Sequence, residues 1–352
     1  MMKTNRENGL DLMRIIAAVF VVAVHCGALL YVNATDFNLS AVSLYMVIAV
    51  FAKACVSFFF MVSGAFLISS PRTQDVKTFY RKTFKRLCVP TIVFWLLYFA
   101  FDIVQTLITG GDLSSCIIAF IRGESGAHLW FMFVLIGLYL AAPMIQHLKD
   151  KISLKAFTLT AAALVLIGFF SESTSPHFLD WDIGFIACSL GVFMLGYSLY
   201  TKLHEKKSAG KSVLFLILAL VVTFGQAAMM MLKVCGDVPV LKDLFSMKDQ
   251  SPIIALVAVL LMAFALLLPV KKSFHKLGAL TYGVYLVHLF FVYIGKYVFS
   301  AVKGVPANAL VLSIPEFLLM SVIVSVVSFA VTALFYKVFG KKKITTASNE
   351  AK

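Results

Sequence analysis

Apolar stretches of about 20 residues, separated by short polar segments, recur along the whole chain, and a run of that length is what a helix needs to cross the hydrocarbon of a bilayer. Ten such runs are readable, at residues 12–32, 42–70, 88–109, 128–148, 154–170, 182–200, 212–232, 252–270, 278–299 and 309–338. Phe and β-branched residues are spread through all of them, as lipid-facing helices require. The pattern predicts an all-α fold: a polytopic membrane helix bundle of about ten transmembrane helices. Residues 1–340 form a single domain on this reading, and 341–352 a short disordered basic cytoplasmic tail. The first run is long, is interrupted by Arg14 and His25, and is followed by no small-residue cleavage site, so a cleaved leader is not expected.

Composition strengthens this picture. Of 352 residues 61% are hydrophobic and only 14% charged, which excludes an ordinary soluble globule, a disordered chain and a disulfide-stapled secreted domain. Lys and Arg number 31 against 17 Asp and Glu, a net +14 that points to anionic lipid or an anionic ligand. Nucleic acid is not the expected partner, because the cations punctuate the apolar runs instead of forming one patch. Their alternation fixes orientation. Twenty-three of the 31 fall on one side of the ten runs and five on the other, with Arg14, Lys53 and Lys296 inside runs. The positive-inside rule then places both termini in the cytoplasm, as an even number of spans also demands. The six cysteines show no metal-ligand spacing, and no metal is expected. Cys116 and Cys235 share the outer side, where pairing is open.

Ionisable side chains within spans are expensive and mark functional positions. Arg14 and His25 lie 11 residues apart on the first span, hence on one helix face about 16 Å apart along its axis, and Asp11 precedes Arg14 by three and can pair with it. Structural alternatives are that Arg14 reaches cytoplasmic phosphates and His25 bonds across helices. Lys53 lies near the middle of the second span, sharing a face with Ser57 and Gly64, and needs an anionic partner or a wet cavity; Ser63-Gly64 allows close approach of a helix or ligand. His288 is near mid-depth with Tyr285 one turn below, a pair suited to a hydrogen bond between helices. His128 and Trp130 open the fourth span at its outer surface, where an interfacial aromatic is ordinary. Lys296 and Glu316, near outer ends, are expected to snorkel or to pair with each other. In the inner loop 71–87, Arg81, Lys82, Lys85 and Arg86 fall at helical spacing; they hold either anionic headgroups or a phosphorylated ligand such as coenzyme A.

Five segments in this order resemble the acyltransferase-3 family of integral membrane acyltransferases: Leu10-Asp11-Leu-Met-Arg14-Ile-Ile-Ala17 followed by Val24-His25; Phe58-Phe-Phe-Met-Val-Ser63-Gly64-Ala-Phe-Leu; Arg81-Lys-Thr-Phe-Lys85-Arg86-Leu-Cys-Val-Pro90; His128-Leu-Trp130-Phe with Tyr139 and Pro143; and Tyr282-Gly-Val-Tyr285-Leu-Val-His288. The resemblance runs from about residue 8 to residue 290 and is similar to Gram-positive members, including the membrane domain of membrane-bound serine/alanine racemases. No segment resembling the racemase domain, or the SGNH-type esterase domain of other members, is read in the sequence. The resemblance implies a bacterial plasma-membrane enzyme that moves acyl groups, usually acetyl from acetyl-CoA, onto hydroxyls of envelope glycans or lipid-linked sugars. It matches His25 to the family's essential histidine and Arg14 to its arginine. Lys53, Lys82 and Lys85 stand where arginine is frequent, which keeps charge but loses the bidentate fork.

The expected chemistry follows. A histidine of near-neutral pKa takes the proton of an attacking hydroxyl, and Arg14 or Lys53 stabilises the oxyanion or holds the donor. Arg81, Lys82, Lys85, Arg86 and Ser63 are the expected acyl-CoA contacts. His128, Trp130, Tyr285 and His288 are expected to line the acceptor's path. Two other classes remain open: a transporter or flippase of a small polar or lipid-linked substrate, although no span pair reads as broken half-helices, and a non-catalytic module serving a separate enzyme.

Overall fold

The computed structural model describes residues 7–30, 39–122, 125–174, 183–235 and 251–339, and the basic tail at 341–352 lies outside them. The described residues are helical, with no strand among them. In chain order the helices are α1 (Asn8–Gly27), α2 (Leu39–Leu67), α3 (Val76–Thr83), α4 (Val89–Thr109), α5 (Leu113–Ile121), α6 (Trp130–Lys151), α7 (Leu154–Thr174), α8 (Ile183–Leu203), α9 (Ala209–Cys235), α10 (Pro252–Leu267), α11 (His275–Gly278), α12 (Thr281–Lys303) and α13 (Ile314–Phe339). Eight apolar helical stretches are long enough to cross a membrane, α3 and α4 counting as one continuous rod, and two shorter ones lie in α7 and α10. Each of the ten apolar runs therefore corresponds to a helix, and the protein is an all-α polytopic membrane bundle.

Helix α1 organises the bundle. Leu10, Met13, Ala17 and Val21 enter one buried cluster with α2, α8 and α10; Ala18, Val22 and Cys26, on another face, enter a second with α6, α12 and α13. A span with apolar side chains on both of these faces must sit inside the bundle. α4 is the reverse case: Ile92, Val93, Leu96 and Leu97 are exposed, as a lipid-facing surface requires.

The Ser63-Gly64 pair resolves into two roles. A Cβ on Gly64 would lie 1.8 Å from the Phe193 carbonyl oxygen, and one on Gly196 would lie 1.9 Å from that of Met61, so α2 and α8 cross backbone to backbone through these two glycines. The small residue serves the helix crossing, and its neighbour Ser63 faces a cavity.

One expectation is corrected. Glu316 pairs with Lys303 at 2.9 Å, not with Lys296, and also accepts from the Ser313 backbone N–H at 2.7 Å. Glu316 opens α13 as the acidic half of a capping box on Ser313, which turns it toward the end of α12; Lys296 lies about two turns deeper along that helix. Cys116 is a buried free thiol on α5, and the side chain of Cys235 lies outside the described residues.

Candidate active site

A cavity of about 670 Å³ opens at the face that the charge pattern assigns to the cytoplasm. Its lining repeats at helical spacing: Phe59, Ser63 and Phe66 along α2, with Ser70 just past its end, Phe131, Leu135 and Tyr139 along α6, and Thr281, Tyr282 and Tyr285 along α12. From Phe59 to Phe66 is seven residues of helix, a depth of about 10 Å. Lys82 and Arg86, both exposed, stand at the mouth. The chain makes a π turn at Phe84–Cys88, in which the Val89 N–H reaches back to the Phe84 carbonyl. The wide turn falls just before Pro90, which has no N–H to continue the α ladder. The Leu87 carbonyl accepts from the Thr91 hydroxyl at 2.7 Å and the Tyr282 hydroxyl at 3.3 Å, the latter fastening the basic segment to α12.

Arg14 lines the cavity further in and is held from two sides. Nη1 lies 3.3 Å from Asp11 Oδ1, and Nη2 donates to Thr281 Oγ1 at 3.4 Å. Asp11, in the first turn of α1, also lies 3.8 Å from His275 Nδ1. The guanidinium is thus oriented by a carboxylate while still facing open space. Ser63 and Tyr139 both line the same cavity.

Beyond the apolar end of the cavity, three histidines from three distant segments meet. Ring centroids are 5.2 Å apart for His25 and His288, 5.0 Å for His128 and His288, and 6.2 Å for His25 and His128. His128 comes inward because the chain before α6 turns through Gly126, at φ 64°, where a Cβ would lie 3.0 Å from the Tyr98 ring. His128 is only 3% exposed and His288 is 0% exposed, so neither is an interfacial aromatic. His288 Nδ1 lies 2.7 Å from the Tyr285 carbonyl oxygen. A carbonyl only accepts, so Nδ1 carries the proton and Nε2 offers its lone pair to the cluster. That Nε2 and both ring nitrogens of His128 are buried with no hydrogen-bond partner among the described residues. Three unsatisfied nitrogens in one place suit a polar group of a substrate, since each is costly to leave unmade.

The structure therefore gathers Arg14, Ser63, Lys82, Arg86 and Tyr285 around the cavity, and His25, His128 and His288 behind it. Arg81 and Lys85 are exposed and do not line the cavity. Lys53 is partly buried on α2, away from the lining. Trp130 packs on Phe185 of α8 at 5.5 Å, beside the cluster but outside it. Sequence reading assigned no role to Tyr98. This tyrosine is fully buried, its ring 4.9 Å from that of His128, and its hydroxyl donates to the Leu286 carbonyl at 2.9 Å. The available signal was a lone hydroxyl amid an apolar run, a group that needs a partner in lipid.

A multi-pass helix bundle enclosing a cation-lined cavity and a buried histidine cluster defines a membrane protein with an internal polar site. Residues 7–337 match the acyltransferase-domain family, and the chain belongs to this acyltransferase-3 family. It is similar to a serine/alanine racemase of Enterococcus gallinarum, 29% identical over 249 residues, covering 61% of this chain and 32% of that protein. An amino-acid racemase of Enterococcus faecalis is 28% identical over 179 residues, covering 49% of this chain and 23% of that protein. The chain thus spans about a third or less of the length of these curated relatives. No solved structure matches it significantly.

Proposed function

We propose that the protein is a membrane O-acyltransferase that carries an acyl group, acetyl in the simplest case, from cytoplasmic acyl-CoA to a hydroxyl of a cell-envelope glycan or lipid-linked sugar in a bacterial plasma membrane. The observation that carries this reading is the sequence of features along one path: cations at the mouth, a guanidinium part-way in, and histidines past the closed end. Lys82 and Arg86 bind the CoA phosphates, with Arg86 able to fork onto two oxygens. Arg14, about 16 Å from His25 along α1 on the side of the mouth, is too far from that histidine to serve the same reacting centre, so it holds the donor. Lys53 takes no part in donor binding on this reading. His25 removes the acceptor's hydroxyl proton as its oxygen attacks the thioester carbonyl; the C–O bond forms, the C–S bond breaks, and the proton passes to the departing CoA thiolate. His128, with both nitrogens uncommitted, donates to the oxyanion, and the acceptor enters from the outer side past Trp130.

The test is thiol release from acetyl-CoA by the full chain in nanodiscs, alongside CoA binding by calorimetry. Wild type is expected to bind CoA and release thiol. Wild type that does neither would overturn the proposal. A second reading is favoured by one observation, the racemase names of both relatives: a membrane module that moves a small polar substrate for a separate enzyme. Gradient-driven uptake of serine or alanine into liposomes, with no CoA consumed, selects that reading.

A further inference from the structure

We infer that Tyr285 is the partition between the donor cavity and the histidine cluster, and that it sets the size of acyl group that crosses. The inference rests on the reading that the cavity holds acyl-CoA. Tyr285 belongs to both sides. With Phe59 and Phe131 it closes the inner end of the large cavity, its ring 5.0 Å from that of Phe131. On its far side the ring lies 5.3 Å from His128 and 5.7 Å from His288. A second void of about 10 Å³ sits there, lined by Val22 and His288 and sharing Phe59, Thr281 and Tyr285 with the cavity. Its volume suits a single water molecule and no acyl group. A thioester carbonyl therefore reaches the histidines only when the ring moves aside.

The ring is tied in place. The Tyr285 hydroxyl donates to the backbone carbonyl of His128, linking α12 to the inward turn before α6. A phenol buried at this depth needs such a partner. Closed, it keeps cavity water from the histidines and so guards a bound thioester from hydrolysis. Open, it leaves a slot one aromatic side chain wide, which passes acetyl and retards longer chains.

The test uses the full chain in nanodiscs with acetyl-, butyryl- and hexanoyl-CoA, reading thiol release with water as acceptor and CoA binding separately. Tyr285→Ala is expected to raise the hexanoyl-to-acetyl ratio of kcat/KM about tenfold or more, with CoA affinity within about twofold of wild type. Tyr285→Phe keeps the ring but not the tie; acetyl-CoA hydrolysis should rise about threefold or more, with the chain-length ratio unchanged. Phe59→Ala should shift the ratio the same way by less, and reads the same partition should Tyr285→Ala not yield monodisperse protein. A measurement independent of CoA completes the test. A cysteine introduced by Val22→Cys should react with a methanethiosulfonate reagent, added from the cytoplasmic side, at least about tenfold faster when combined with Tyr285→Ala than alone. Unchanged ratios together with unchanged labelling would overturn the partition. A wild type inert toward CoA, with labelling still accelerated, would leave the partition standing and sink the acyltransferase reading.

Discussion

The cavity and the histidine cluster are neighbours built on opposite physical terms. The cavity is open and cationic, and its chemistry-bearing residues come largely from contiguous helical stretches: Lys82 and Arg86 one turn apart, Phe59, Ser63 and Phe66 along one face of α2. The cluster is dry, holds no permanent charge among its rings, and draws on α1, the turn before α6 and α12, with side chains up to 263 residues apart in His25 and His288. In the first region a residue can be lost and water fills in. In the second a missing nitrogen is not easily replaced, because the site is buried and the neighbouring hydroxyls of Tyr98 and Tyr285 are already committed to backbone carbonyls. Binding and chemistry should therefore separate in mutational data along this boundary.

The largest effect tests the dry side. His25→Ala should lower acyl transfer by about 10²- to 10⁴-fold, the range for removing a general base, while CoA affinity by calorimetry stays put. His128→Ala should cost less, about 10- to 100-fold in kcat, since one oxyanion donor is removed and the base remains. A change confined to the KM for acetyl-CoA in either variant would break the division between the two regions. On the wet side, Arg86→Ala should raise that KM about tenfold, the loss of a charge-assisted phosphate contact, with kcat within about twofold. Added salt should narrow the difference, because the contact is solvent-exposed and screened. The smallest effect sharpens the comparison within one turn of chain. Lys85→Ala removes the same charge from a residue that does not line the cavity, and its KM should stay within about twofold of wild type. Equal responses of Lys85→Ala and Arg86→Ala would reduce the segment to a general positive field.

Legibility followed the same boundary. The ten apolar runs matched ten helices, because crossing hydrocarbon imposes a length and an apolarity that any window along the chain displays. The Asp11–Arg14 pair was readable from a spacing of three, a contact internal to one helix. Of the four cations at 81–86, spacing alone could not separate the two that line the cavity from the two that do not, since that depends on how the π turn sets α3 against α6 and α12. Gly64 illustrates the same limit: a small residue announces close approach, and only the packed bundle assigns that approach to the Phe193 carbonyl. For His128 the sequence left an interfacial aromatic beside a place on the acceptor's path, because the head of a span is where interfacial aromatics lie. Burial came from an inward turn at Gly126 and from rings on two other helices.

What the sequence determined by itself is thus the class of molecule: an all-α membrane bundle, its segments, the side on which its cations gather, and the family motifs distributed across five of those segments. These properties are one-dimensional, written in hydropathy, charge and spacing, and the bilayer reads them nearly independently of what each helix packs against. Tertiary structure alone decided that His25, His128 and His288 share one chamber, that Tyr285 divides it from the cavity, and that Arg14 faces the cavity under the grip of Asp11 and Thr281. Those are outcomes of helix rotation and crossing, set by small-residue seams and apolar packing between segments far apart in the chain.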